Sequence, residues 1–431
     1  MKRSTEHSAK EELSFYKHHL EEVILPFWKR AVDEQYGGVY TCFNNTGDVL
    51  TSRDKYTWSQ GRFLWIWSKI AGMIAEHKLE GRKENYLDQL SKTALFLEEN
   101  VFLENGNCAF LLTEEGKKKE SISGKGFDTS IYADCFVALG LAKYAGLTKN
   151  RQRFENAERL YTRIRERIET DDIPTEPYPI PEGYRAHSIP MIMLNVSQEL
   201  NETADYLNHP LSKEISLHSI SYMRDIMDFF LQTDHRIIEM LPEYRLSEQD
   251  TLLYHHVNPG HAIESMWFVI HTAQKTGHTT YLRQAVKAIE HAIKVGWDRE
   301  FGGLLRFTDK EGGMPEGRVK SEAYEQLITD SWELKLWWPH AEALYATFLA
   351  SKLTDDRHFH QWYREIKTYT FNTFPNPDKN IGEWIQIQNR QGEPVDKIAA
   401  LPVKDPFHIA RSILMIIDLL EDELLARTSY E

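Results

Sequence analysis

Apolar residues recur at three- and four-residue spacing along most of this chain, and that period commits it to helices. Residues 11–31, 58–77, 84–99, 211–232 and 279–295 all carry it. Between them lie turn-rich pieces of roughly 10–20 residues, two with short strand-like patches at 37–41 and 109–113. No set of Val- and Ile-rich strands alternates with the helices, which argues against a doubly wound α/β sheet. At 431 residues the length alone suggests roughly two or three domains, unless the helices close into a ring, which needs about this much chain.

A turn sequence recurs. Asp33-Glu34-Gln35-Tyr36-Gly37-Gly38-Val39-Tyr40 is echoed by Asp298-Arg299-Glu300-Phe301-Gly302-Gly303-Leu304-Leu305, with a degraded third copy at 376–384. Each copy follows a helix and carries glycine where the chain must turn sharply, as expected of a turn reused in a helical toroid. One segment differs: residues 171–190 hold five of the 16 prolines, so helix cannot run through it. It reads as a long loop on the rim of one domain.

Composition narrows the partners. A formal net charge of −14, spread along the chain, argues against nucleic acid and anionic membrane, since phosphate binding needs clustered Lys and Arg. Cys42, Cys108 and Cys135 are too few and too scattered for a disulfide framework or a cysteine zinc site. No signal peptide is visible behind the N-terminus, and no apolar run approaches the roughly 18–20 residues of a membrane span. The cytoplasm is the expected compartment.

Four clusters could carry chemistry. In 258–267, Pro259 and Gly260 punctuate a turn before a helix, which sets His261 at the helix start with Glu264 one turn on. A carboxylate there can fix an imidazole tautomer and raise its basicity, as a general base requires. In 335–342, aromatic rings including Trp338 stand beside Glu342, a combination that suits a sugar: ring faces take C–H groups and a carboxylate takes hydroxyls. In 404–411, His408 and Arg411 lie one turn apart near the start of the last helix. In 55–62, Arg62 follows a glycine within an aromatic-rich helix. Taken singly, most of these also fit helix caps and ordinary core. No phosphate loop, dinucleotide fingerprint, zincin or nucleophile-elbow pattern occurs, and His255-His256 and His358-Phe359-His360 are set aside as metal ligands.

Together the clusters resemble the N-acylglucosamine 2-epimerase family, in particular its N-acetylglucosamine 2-epimerase (renin-binding protein) branch. The matching stretches run in family order from Lys55 to Arg411: 55–62, 108–113, 189–195, 258–267, 296–298, 335–343, 382–384 and 407–408. The resemblance implies an all-α (α/α)6 barrel with short β-hairpins in its loops, a single domain over residues 1–431, and a central cleft for the active site. It implies catalytic histidines at His261 and His408. It implies substrate contacts from Arg62, Glu264, Trp338, Glu342, Arg411 and Tyr132, with Glu264 as the acidic partner of His261. It further implies homodimers, a monosaccharide substrate, no metal or redox cofactor, and ATP as an activator at a separate site that no sequence feature identifies. The chain departs from the family at 405–407, where Asp-Pro-Phe stands before the second histidine. Val403 occupies the position at which cellobiose 2-epimerases carry tryptophan, which counts against a disaccharide.

The expected reaction is interconversion of N-acetylglucosamine and N-acetylmannosamine. Epimerisation at C2 removes a proton next to the carbonyl of the open-chain sugar and returns one from the opposite face, so two bases are needed. Mannose–glucose epimerisation, aldose–ketose isomerisation and cellobiose epimerisation are alternatives within the family. From other classes, a glycoside hydrolase on the same toroid would use a carboxylate pair, and a binding scaffold would use the pocket without turnover.

Overall fold

The computed structural model describes residues 2–243 and 247–428. In chain order its helices are α1 (Lys2–His18), α2 (Leu25–Arg30), α3 (Thr57–Ala75), α4 (Glu84–Asn100), α5 (Ile131–Thr148), α6 (Arg151–Glu169), α7 (Ser188–Tyr206), α8 (Ser212–Asp225), α9 (Leu252–His255), α10 (Pro259–Thr276), α11 (Thr279–Gly296), α12 (Ala323–Ser331), α13 (Trp337–Thr354), α14 (Arg357–Thr373) and α15 (Phe407–Thr428). The helix expected over 11–31 carries a π-helical stretch, His19–Ile24, between α1 and α2. Pro190 falls in the first turn of α7, where its missing N–H costs nothing, so the proline-rich loop ends sooner than its last proline.

Helices α3, α5, α7, α10, α13 and α15 pack side by side into a closed inner ring, and α4, α6, α8, α11 and α14 each fold back against the preceding inner helix. The chain's first helix, α1, covers α15, so the two ends of the sequence complete the ring. Lys17 of α1 meets Glu421 of α15 at 2.5 Å, and Lys69 of α3 meets Asp418 of α15 at 2.9 Å across the seam. The fold is an (α/α)6 barrel. Composition sorts the two layers: α5 buries an unbroken run from Ala133 to Ala142, whereas α11 buries only one stripe, including Ala285, Val286, Ile289 and Ile293.

Short antiparallel pairs link the loops at one end of the ring. These are β1 (Lys55–Tyr56) with β2 (Leu111–Leu112) and β3 (Lys118–Lys119), β4 (Tyr184–Ala186) with β5 (Met240–Pro242), β6 (His256–Val257) with β7 (Thr308–Asp309), and β8 (Lys335–Leu336) with β9 (Ile387–Gln388).

The first two copies of the repeated turn adopt one conformation, and the third closes over two more residues. Asp33 N–H donates to Gly38 O at 3.0 Å, Asp298 to Gly303 O at 2.8 Å, and Asn376 to Glu383 O at 2.9 Å. The glycine pairs take positive φ: +85° and +82° at Gly37 and Gly38, and +71° and +79° at Gly302 and Gly303. In the third copy Gly382 is followed by Glu383 at φ +64°, a conformation disfavoured outside glycine. Each turn is held by a buried lysine near the start of an inner helix: Lys55–Asp33 at 2.6 Å, Lys335–Asp298 at 3.3 Å and Lys404–Glu383 at 3.0 Å. Lys404 and Glu383 lie wholly out of water, where burial lowers the lysine and raises the acid against their mutual attraction. His340 ties the second turn to α13: its Nε2 accepts from Leu304 N–H at 2.8 Å and its Nδ1 donates to Leu336 O at 2.7 Å.

Two outcomes follow from this burial. Lys404→Met leaves Glu383 buried without its cation and lowers unfolding free energy by about 3–5 kcal/mol in urea titrations; a loss under 1 kcal/mol would remove this pair from the scaffold. Burial holds His340 neutral, at about 3 against an ordinary 6.5. The unfolded chain therefore binds a proton that the folded chain refuses, and stability falls as pH drops below about 6.5, by roughly 1.4 kcal/mol per pH unit for each such histidine. His340→Gln should flatten that slope in pH-dependent denaturation, and an unchanged slope would contradict the assignment.

Candidate active site

All six inner helices run in one direction, and their first two turns surround a single cavity of about 220 Å³. Trp58 and Arg62 come from α3, Tyr132 and Phe136 from α5, Met191 and Asn195 from α7, His261 and Glu264 from α10, Trp338 from α13, and His408 and Arg411 from α15. Six helix N-termini thus point their partial positive charge at one space, which favours an anion there. The proline-rich loop lies over it through Thr175, Tyr178 and Ile180, where it meets Ala399 from the segment before α15. Arg306 joins the two covers, donating to Ala399 O at 2.7 Å and Tyr178 Oη at 3.3 Å.

His261 is set by local chemistry. Asn258 caps α10, its side chain accepting from His261 N–H at 3.2 Å, and Pro259 starts the helix. Gly260 is required by a close approach: a Cβ there would lie 2.4 Å from the ring of Trp338. That contact places Trp338 between the histidines, its ring centroid 5.3 Å from His261 and 5.6 Å from His408.

The expectation that Glu264 orients His261 is corrected by the structure. His261 Nδ1 instead meets Glu239 Oε1 at 2.7 Å, a carboxylate immediately before β5 that is 2% exposed. Glu264 turns across the ring to Arg411 and lies 3.8 Å from His408 Nδ1. Glu342, expected to take sugar hydroxyls, is fully buried behind His408 and does not line the cavity. Its three donors explain why: His408 Nδ1 at 2.7 Å, Arg411 Nη2 at 2.7 Å and Trp267 Nε1 at 2.7 Å. Each histidine therefore has its own carboxylate at Nδ1, leaving Nε2 as the ring nitrogen available to a ligand.

Arg62 lines the cavity with its guanidinium 4.0 Å from the Phe136 ring centroid and 2.6 Å from Asp405 Oδ2. The glycine before it lets α3 and α5 touch, since a Cβ on Gly61 would meet Phe136 O at 2.3 Å. Asp405, part of the departure at 405–407, also accepts from Phe407 N–H at 2.7 Å and so caps α15. Tyr132 lines the wall and donates to Ser188 Oγ at 2.8 Å.

Sequence reasoning missed Glu239, Asp405 and Trp267 as supports of this site. Glu239 did leave a signal: it is the sole acid in Ile237-Ile238-Glu239-Met240-Leu241-Pro242, and a buried carboxylate in an apolar run needs a partner.

The electrostatics of the two histidines differ. Burial lowers His261, but the charge and hydrogen bond of Glu239 outweigh it, and its proton is held above the ordinary range. Burial lowers His408 to about 3; Glu264 opposes this, while Arg62 and Arg411 add to it. Glu264, Glu342 and His408 are spaced so that they could hold a cation, but the Arg411 guanidinium already bonds both carboxylates.

The family model described as N-acylglucosamine 2-epimerase (GlcNAc 2-epimerase) matches residues 38–412. An N-acylglucosamine 2-epimerase from Bos taurus is 27% identical, over 94% of this chain and 90% of its own. The protein of the same description from Homo sapiens is 25% identical, over 92% and 87%. The solved structure of cellobiose 2-epimerase from Bacillus thermoamylovorans superposes with a TM-score of 0.75 at 19% identity, over 94% of this chain and 99% of that one. That likeness concerns the fold.

Removing the guanidinium should expose the cost of the buried acids. Arg411→Met leaves Glu264 and Glu342 facing each other without a cation, and destabilises the chain by about 3–5 kcal/mol at neutral pH. The loss should shrink in acid as one carboxylate takes a proton; a melting temperature equal to wild type would refute this role.

Proposed function

We propose that this chain, which belongs to the N-acylglucosamine 2-epimerase family, is a sugar 2-epimerase that interconverts N-acetylglucosamine and N-acetylmannosamine. One observation carries the reading: two imidazoles flank Trp338 in one cavity, each tied at Nδ1 to a buried carboxylate. The curated relatives at 25–27% identity carry the N-acyl name over most of their length, which supports the N-acetylated substrate.

In this scheme the sugar opens to its aldehyde, and one histidine takes the C2 proton through Nε2. The electron pair of the C–H bond forms the C1=C2 bond, and the aldehyde oxygen takes the negative charge as a 2-acetamido enolate. The other histidine, as imidazolium, delivers a proton to the opposite face of C2, and each has then exchanged its charge state. Negative charge on the enolate oxygen is met by Arg62 and by the six convergent helix N-termini. Trp338 offers an indole face to the sugar between the two bases. The chemistry draws on side chains alone, without redox or metal groups. A cytoplasmic homodimer, and ATP as an activator at a separate site, are part of the proposal and rest on resemblance. No helix is long and apolar enough to cross a membrane among the described residues.

A glycoside hydrolase would need a free acid and a free base at the cavity. The carboxylates around it are engaged instead, Glu239 with His261, Glu264 and Glu342 with Arg411, and Asp405 with Arg62, which leaves Glu176 of the covering loop and not a pair.

Proton NMR of N-acetylmannosamine with the protein in D₂O, with and without ATP, tests the reading. N-acetylglucosamine deuterated at C2 should appear, and His261→Ala or His408→Ala should each slow it by about 10²–10⁴-fold. Conversion of mannose but not of the N-acetyl sugar would move the substrate. Near-normal rates in either variant would end the two-histidine scheme.

A further inference from the structure

Both histidines lean on a carboxylate at 2.7 Å, yet the two carboxylates are not equally able to hold a proton on their partner. Glu239 has one close side-chain partner, His261 Nδ1. Its second oxygen lies 3.5 Å from His187 Nδ1, and His187 is backed in turn by Ser265 Oγ at 3.1 Å. Glu342 shares its charge. The Arg411 guanidinium bonds the same oxygen that meets His408, Trp267 takes the other oxygen, and Arg411 Nη2 itself comes within 3.4 Å of His408 Nδ1. A guanidinium so placed neutralises the carboxylate and repels an imidazolium.

The other charged groups around each ring point the same way. His261 is influenced by Glu264 in addition to Glu239, with Arg306 opposing. His408 has Glu264 and Asp405 in its favour, with Arg62 and Arg411 against, and it is 7% exposed.

We propose that Glu239 is a positioning residue that keeps His261 in its imidazolium form, so that the resting protein pairs one charged histidine with one neutral one. His408 is then the base that removes the C2 proton from the epimer entering the resting form, and His261 is the acid that returns a proton. For the opposite direction the proton must first move to His408, so the two directions start from unequally populated forms of the free protein. The proton-transfer roles rest on the epimerase reading; the charge assignment does not. The raised His261 and lowered His408 agree with it.

The test is a ¹H–¹³C NMR titration of the protein labelled at histidine Cε1, with both signals assigned through His261→Gln and His408→Gln. It is paired with the pH profile of kcat/KM. His261 should titrate above an ordinary imidazole and His408 below it. Glu239→Gln should lower the His261 midpoint by about one to three pH units and pull the alkaline limb of the profile down with it. The acid limb set by His408 should stay in place. Glu239→Asp, which restores the charge, should recover most of the limb, a rescue that a merely structural role would not give. Should Glu239→Gln fail to fold, the order of the two midpoints in the wild-type protein decides alone. A His261 midpoint at or below that of His408 would overturn the assignment, as would an alkaline limb indifferent to Glu239→Gln. Titration in the stated order without turnover of any sugar would sink the epimerase reading and leave the role of Glu239 in holding the proton intact.

Discussion

Alternation of inner and outer helices around the closed ring sets all six inner helices running the same way, and the site depends on that constraint. Parallel inner helices bring six N-termini to one end, where their positive dipole ends surround a single cavity. The side chains that matter sit in the first two turns of these helices, close to those positive ends. An environment of this kind favours a transient oxyanion before any arginine is counted, because its dipoles are fixed by the fold and need no reorganisation.

Holding such a ring true requires loops as rigid as the helices. The repeated turn supplies that rigidity three times, and each time a buried lysine near an inner-helix start locks onto the turn's acid. Lys55, Lys335 and Lys404 lie just upstream of Arg62, Trp338 and His408 respectively. The latch that orders the scaffold therefore also aims the cavity's side chains. Buried ion pairs are poor sources of net stability, since desolvation offsets much of their attraction. Their value here is geometric: removing one partner strands a charge, so the pairing admits few alternatives.

The helical architecture was legible because apolar period is a local property, readable from neighbours three and four apart. The repeated turn was legible for a similar reason, since Gly37-Gly38 and Gly302-Gly303 mark a backbone conformation that few other residues adopt. Residues near the starts of inner helices also announced themselves, with Asn258-Pro259-Gly260 marking His261 as the third residue of its helix. Partnership was where the reading went astray. Glu264 is one turn from His261, and helical spacing made it the natural partner, but its carboxylate crosses the ring to Arg411, 147 residues away in sequence. Glu239, which holds His261, stands immediately before β5, where its carbonyl accepts from His187 N–H beyond the end of the pairing with β4.

By itself, then, the sequence determined the helices, the turns that separate them, and the identity of the residues at the helix starts, because each depends on interactions within one or two turns of chain. Only the tertiary structure decided which carboxylate serves which histidine. Glu239 and Glu342 are 22 and 66 residues from the rings they hold. What brings them within 2.7 Å is closure of the ring and the desolvation that makes a buried charge take the nearest donor, and neither exists until the chain has folded.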